Sequence, residues 1–275
     1  SQAYDYWKGV EDHSWVIGDF IWTAFDYIGE ASIGWCGYPL DKRIFPWNHA
    51  NCGDLNLSGE RRPQSYLRET LWSDAPVSHI VVTPPVPSFP LNPDKADWSV
   101  WDFPDVVDHW NFPGYEGKKM TVSVYSNCEQ VELFLNGESL GKQENTADKK
   151  NTLVWEVPYA HGILKAVSYN KGGEVGTATL ESAGKVEKIR LSADRTEIVA
   201  DGNDLSYITL ELVDSKGIRN QLAEELVEFS IEGDATIEGV GNANPMSIES
   251  FVANSRKTWR GSNLLVVRSG KSSGR

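Results

Sequence analysis

The spacing of apolar positions changes along the chain, and each change marks a different kind of element. From Ala3 to Asp12 the apolar residues Tyr4, Trp7 and Val10 recur at helical spacing and predict a helix. Val16 to Trp22 (VIGDFIW) is a short, mostly apolar run of the kind found in a strand buried on both faces, so a strand is predicted there. A long loop containing Gly and Trp follows. Pro63 then opens a second helical pattern, PQSYLRETLW, in which proline suits the first turn and Tyr66, Leu67, Thr70 and Leu71 share one side. Helix, strand, long loop, helix is an α/β order, and it occupies residues 1–77.

Between Asp74 and Pro93 six prolines fall within twenty residues, a density that excludes a helix and predicts an extended connector. Beyond it the period becomes two. Met120 to Tyr125 (MTVSVY), Val131 to Leu135 (VELFL), LVWEV and GILKAVSY read as strands, and Asn136-Gly137 supplies a tight-turn dipeptide. A polar break at 181–185 (ESAGK) precedes VEKIRLSA, SYITLELVD, LVEFSIEG and NLLVVRSG. In the second of these, Tyr207, Thr209 and Glu211 alternate with Ile208, Leu210 and Leu212, the pattern of a half-buried strand. The expected organisation is therefore 1–77, then an immunoglobulin-like β-sandwich over 78–183, then a second over 184–275. GKSSGR, a turn-like tail after a strand, predicts that the last sandwich lacks a closing strand.

Composition narrows the functional classes. A formal charge of −13 and a pI near 4.9 surround the molecule with a negative field that repels phosphate backbones and anionic headgroups. Nucleic acid is not an expected partner, and neither is membrane insertion, since no run of about 20 apolar residues occurs. Cys36, Cys52 and Cys128 are odd in number and widely spaced. His13, His49, His79, His109 and His161 form no HxxxH or HxH cluster, so nothing calls for a metal or other cofactor. Eleven tryptophans are the unusual total, eight of them before residue 105. Indole faces stack on sugar rings, although any one Trp is more often a core residue.

The stretch GDFIWTAFDYIGEASIGW at 18–35 resembles the eighth barrel strand and following loop of family 2 glycoside hydrolases, the β-galactosidase and β-glucuronidase group. CGDLNLSGERRPQSYLRETLW at 52–72 and HWNFPGYEGKKMTVSVYSNCEQVELFLNGESLG at 109–141 are similar to the last barrel loop and helix, and the first sandwich after the barrel, of one branch of bacterial β-galactosidases. GVGNANPMSIESF at 239–251 resembles the family's final immunoglobulin-like domain. The resemblance implies a mainly β chain, with two immunoglobulin-like sandwiches preceded by the terminal strand and helix portion of a TIM (β/α)8 barrel. It implies a retaining enzyme that cleaves terminal β-galactosides of oligo- or polysaccharides in the periplasm or at the surface of a glycan-degrading bacterium.

Retention requires two carboxyl groups about 5 Å apart. In the family both are glutamates at the ends of the fourth and seventh barrel strands. The resemblance therefore places both before Ser1 and leaves this chain with no catalytic residue and no activity by itself.

Trp22 matches a family Trp that walls the sugar ring, at the strand end where this fold handles substrate; without the resemblance it reads as core packing. Asp26, Glu30 and Trp47 are further substrate-binding candidates at the rim. Most such carboxylates only bond backbone groups, so the plain reading of Asp26 and Glu30 is that they brace the loop. His49 reads as a loop-bracing hydrogen-bond donor. The cluster Trp98, Trp101, Phe103, Trp110, Phe112 and Tyr115 reads as apolar glue between barrel and sandwich.

The carbohydrate substrate of the full-length enzyme is the expected partner. The alternative is a set of non-catalytic modules that bind glycan or act as spacers. For the last module a spacer is favoured, because its strands lack solvent-facing aromatics, with Tyr207 its single tyrosine and Trp259 its single tryptophan. An uncovered strand at 16–22 is expected to pack on the sandwich and to recruit a second copy of the chain.

Overall fold

The structure, a computed structural model, describes residues 2–30, 45–89 and 104–274. Helix α1 (Gln2–Glu11) forms where the spacing of Tyr4, Trp7 and Val10 predicts it. It is followed by β1 (Tyr27–Ile28), β2 (His49–Ala50), a 3-10 turn at Pro63–Ser65 and helix α2 (Tyr66–Trp72). Pro63 sits in the first turn, where a missing N–H costs nothing. Leu67 of α2 packs into a small core with Val81, Val106 and Tyr125.

The strand expected at 16–22 does not form: these residues run as an irregular segment. An apolar run becomes a strand only when neighbours take up its N–H and C=O groups, and among the described residues none pairs with it. Nor does the sandwich cover it, since Ile17 and Phe20 are fully exposed at 103% and 104%. No described helix is long and apolar enough to cross a membrane.

Strands β3 (Ser78–Val82), β4 (Lys119–Ser126), β5 (Gln130–Leu135), β6 (Glu138–Glu144), β7 (Thr152–Pro158), β8 (Ile163–Asn170) and β9 (Gly173–Glu181) make two antiparallel sheets, β3-β4-β7 and β6-β5-β8-β9. Between them lies one core that includes Val122, Val124, Leu133, Leu153, Leu164 and Trp110. Burying each such aliphatic side chain contributes about 1.5–3 kcal/mol. Strand β3 corrects the expected connector over 74–93. Its run Ser78–Val82 lies between Pro76 and Pro84, and Ile80, Val81 and Val82 are buried. Proline is tolerated at the ends of an edge strand, and among the described residues β3 ladders with β4 on one side and makes a single bridge, from Val82 to Val107, besides.

The aromatic cluster also differs from expectation. Trp98, Trp101 and Phe103 lie outside the described residues. Trp110 and Phe112 are not glue towards the first segment but part of the sandwich core itself. Trp110 Nε1 donates to the Ala160 carbonyl at 2.8 Å, and its ring meets Tyr159 edge-on at 4.9 Å.

The last unit has a four-stranded sheet and a two-stranded one. They are formed from β10 (Lys188–Ala193), β11 (Leu205–Val213), β12 (Leu226–Glu228), β13 (Ala235–Gly241), β14 (Ser255–Lys257) and β15 (Ser262–Ser269), ordered β10-β11-β15-β13 and β12-β14. Its core gathers Leu210, Leu212, Val227, Phe229, Val240 and Leu265. The sequence alternation thus places Leu210 and Leu212 inward and Tyr207 and Thr209 on the opposite face.

Two seams tie the first segment to the β units. Asn127 Nδ2 donates to the Ser73 carbonyl at 3.0 Å, and Asn151 Nδ2 to Thr70 Oγ1 at 3.1 Å, which fixes α2 on the sandwich. Towards the last unit, Asn48 N–H donates to the Pro245 carbonyl at 2.8 Å and Arg219 Nη1 to Glu60 Oε1 at 2.7 Å. The 239–251 stretch therefore touches the loop before α2.

Candidate functional site

The candidate site is built around Trp22, whose side chain remains 58% exposed. The indole is oriented rather than free. Its Nε1 donates to the Tyr27 hydroxyl at 3.1 Å, and that hydroxyl donates onward to Glu30 Oε2 at 2.6 Å. The two rings meet edge-on, 6.4 Å apart. Tyr27 is itself fixed by the two-residue β1–β2 ladder, in which it pairs with Ala50, and its phenol is pushed up to about 12, first by burial and then by its bond to Glu30. The Trp22–Thr23 peptide bond is cis. Glu30 is exposed, so of the four rim candidates Trp22 and Glu30 sit together at the surface, linked through Tyr27.

Asp26 and Trp47 do not reach a rim. Asp26 is 4% exposed; its Oδ1 accepts the Gly53 N–H at 2.9 Å and its Oδ2 accepts from Arg62 Nη2. Arg62 also donates to Asn51, reaching the Asn51 carbonyl at 3.2 Å. The Phe25–Asp26 backbone passes close against Gly53, where an added Cβ would lie 2.3 Å from the Asp26 nitrogen, and the carboxylate buried there needs a cation, which Arg62 supplies. Trp47 is likewise 4% exposed, with Nε1 donating to the His49 carbonyl at 2.7 Å and its ring edge-on to Phe89 at 5.0 Å. His49 is buried beside Asn48, with Nδ1 2.8 Å from Asn48 Oδ1 and Nε2 3.8 Å from Asp26 Oδ2. No group of three or more metal-ligating side chains is found among the described residues.

Sequence reasoning passed over Arg62, Asn51, Tyr27 and Gly53. Arg61-Arg62 ahead of a helical proline was a visible signal in an acidic chain. Nothing local said which of the two arginines turns inward.

Burial acts on Asp26 and His49 in opposite senses. It pushes the Asp26 carboxyl up to about 6, against the pull of Arg62 and the Gly53 N–H. It pushes His49 down to about 4, helped by the Arg62 charge. At neutral pH the aspartate is therefore ionised and the imidazole neutral. The Asp26 value in the fold lies above its ordinary 3.8, so between these values the folded chain holds the extra proton and this contribution to stability is lost as pH rises. The His49 value lies below its ordinary 6.5, so between 4 and 6.5 the unfolded chain holds the extra proton and stability rises with pH. The two slopes offset each other. Relative to the parent chain, His49→Gln is expected to lose stability from pH 4 to 6 and Asp26→Asn to gain it, each by about 2–3 kcal/mol across the window. Urea midpoints measured through that range check the pair, and parallel pH profiles for the two variants would refute it.

Residues 189–275 match the family described as glycoside hydrolase family 2 C-terminal domain 5, and residues 117–176 match a domain of unknown function (DUF4982). The chain is similar to the beta-galactosidase BoGH2A of Bacteroides ovatus, at 32% identity over 95% of this chain and 26% of that protein. It is also similar to a putative beta-glucuronidase of Formosa agariphila, at 29% identity over 89% of this chain and 21% of that one. A solved glycosyl hydrolase family 2 member from Bacteroides cellulosilyticus superposes with a TM-score of 0.88 and 89% identity, over 100% of this chain and 34% of the other. The chain thus spans 26% and 21% of the lengths of these two curated relatives.

Proposed function

Because the chain belongs to glycoside hydrolase family 2 and matches the carboxyl-terminal part of its members, we propose that it completes the sugar pocket of a retaining β-galactosidase-like enzyme. The observation that carries this reading is Trp22: a large indole, held by Tyr27 and Glu30, with more than half its surface unspent. Such a face binds the C–H side of a pyranose and orients the ring for attack.

The chemistry itself comes from elsewhere in the full-length enzyme. A retaining mechanism needs one carboxylate to attack the anomeric carbon and one carboxylic acid to protonate the leaving oxygen. Asp26 is committed to Arg62 and Gly53, and Glu30 to Tyr27, so neither plays these parts. The 275-residue chain alone is therefore expected to show no turnover of nitrophenyl β-galactoside, while the full-length enzyme hydrolyses it with retained anomeric configuration. Turnover by the isolated chain that disappears in Glu30→Gln would sink the assignment of roles. Relatives named for β-glucuronidase keep a glucuronide as the second reading. Assaying the full-length enzyme on both nitrophenyl glycosides decides between them, and the galactoside is expected to be the better substrate.

A further inference from the structure

Three residues beyond Trp22, Phe25 also turns its ring away from the core and stays 52% exposed. It lines a cleft of about 460 Å³ between the first segment and the last β unit, within the usual range for small-ligand sites, roughly 300–1,000 Å³. The opposite wall is the outer face of the β10-β11 pair. Ser192 and Thr209 are register partners there, Tyr207 lies two residues along β11 on the same face, and Asp194 follows the end of β10. Tyr207 is 44% exposed. On the first segment's side lies Ser58, whose Oγ is buried yet bonds to nothing among the described residues.

Two partly exposed aromatic side chains and several hydroxyl groups lining one cleft match one ligand chemistry. Aromatic faces bind the apolar side of a sugar ring, and a buried hydroxyl without a partner is stabilised by a ligand hydroxyl that bonds to it. The charge in the cleft selects further. Asp194 accepts the Tyr207 N–H at 2.8 Å and a bond from Ser206 Oγ at 3.1 Å, which keeps it ionised. Arg195, 3.6 Å from it, is turned to Asp204 at 2.9 Å. A uronate would meet a carboxylate there, inside a chain of net charge −13.

We propose that this cleft is a second sugar subsite, in which Phe25 and Tyr207 stack on a neutral oligosaccharide and Ser58, Ser192 and Thr209 bond its hydroxyls. It rests on the glycosidase reading and extends it, giving the last β unit a share in holding long substrates. Direct titration of the 275-residue chain by calorimetry tests it, using β-1,4-galactotetraose, cellotetraose and tetragalacturonate as probes. The expected result is saturable binding of at least one neutral tetrasaccharide. Tyr207→Ala and Phe25→Ala should each weaken that binding about fivefold or more, as loss of one stacking face implies. Val199→Ala, an exposed change away from the cleft, should leave it unaltered, and thermal unfolding of each variant shows that the fold is kept. Absence of saturable binding by both neutral probes, tighter binding of the uronate, or affinity indifferent to both aromatic substitutions would overturn it. The titration involves no turnover. Failure of the catalytic reading would instead appear as a full-length enzyme that cleaves neither glycoside.

Discussion

Replacing Trp22 with alanine in the full-length enzyme is expected to lower kcat by about 10- to 100-fold with a smaller change in KM, the signature of a face that orients the distorted ring in the transition state. The indole is held by the Tyr27 hydroxyl, which accepts its Nε1–H and donates its own O–H to Glu30. Trp22→Phe keeps a ring but loses the bond to Tyr27, so it should fall between parent and alanine. Steady-state kinetics on a nitrophenyl β-galactoside read the split. A rise in KM with kcat untouched would mean uniform binding and not transition-state orientation. Unchanged kinetics in both variants would return Trp22 to a packing role.

Arg62→Met should cost about 3–5 kcal/mol, because it leaves the buried Asp26 carboxylate without a counter-charge. The loss should be larger at pH 8 than at pH 5. Burial already holds Asp26 near 6 with Arg62 present, and without the guanidinium the carboxyl protonates more readily and escapes part of the penalty at low pH. Asp26→Asn combined with Arg62→Met removes both charges and should recover most of the stability. Denaturant titration of the three variants decides the point. A double variant no more stable than Arg62→Met alone would show that Arg62 acts through its packing or its bonds to Asn51, and not through Asp26.

How much of this was legible in sequence follows from how local each feature is. Helices α1 and α2 depend on spacing within ten residues and on Pro63, and they form where that spacing places them. Strands β4, β5, β7 and β8 alternate cleanly because one face of each meets the shared core. The edge strands β6 and β9 have weak alternation and much exposed surface, so hydrophobic pattern does not reveal them. Strand β3 was hidden by the prolines around it. The run at 16–22 shows the converse: its apolar content was clear, but a strand depends on neighbours, which a single segment cannot supply.

The site divides in the same way. Trp22 was singled out through the resemblance of its surrounding motif. The burial of Asp26 depends on Arg62 thirty-six positions later and that of Trp47 on Phe89, and neither pairing has a local signature. The cleft between Phe25 and Tyr207 was invisible for the same reason, since its walls come from distant parts of the chain.

The central claim is that Trp22 forms one wall of the pocket holding the scissile sugar. The most direct measurement is a crystal structure of the full-length enzyme trapped as its glycosyl intermediate with a 2-deoxy-2-fluoro-galactoside. The galactosyl ring is expected against the Trp22 indole within about 4 Å, ordinary contact distance, with Tyr27 and Glu30 still bonded behind it. A sugar seated away from Trp22, or an indole turned into the protein core, would contradict it.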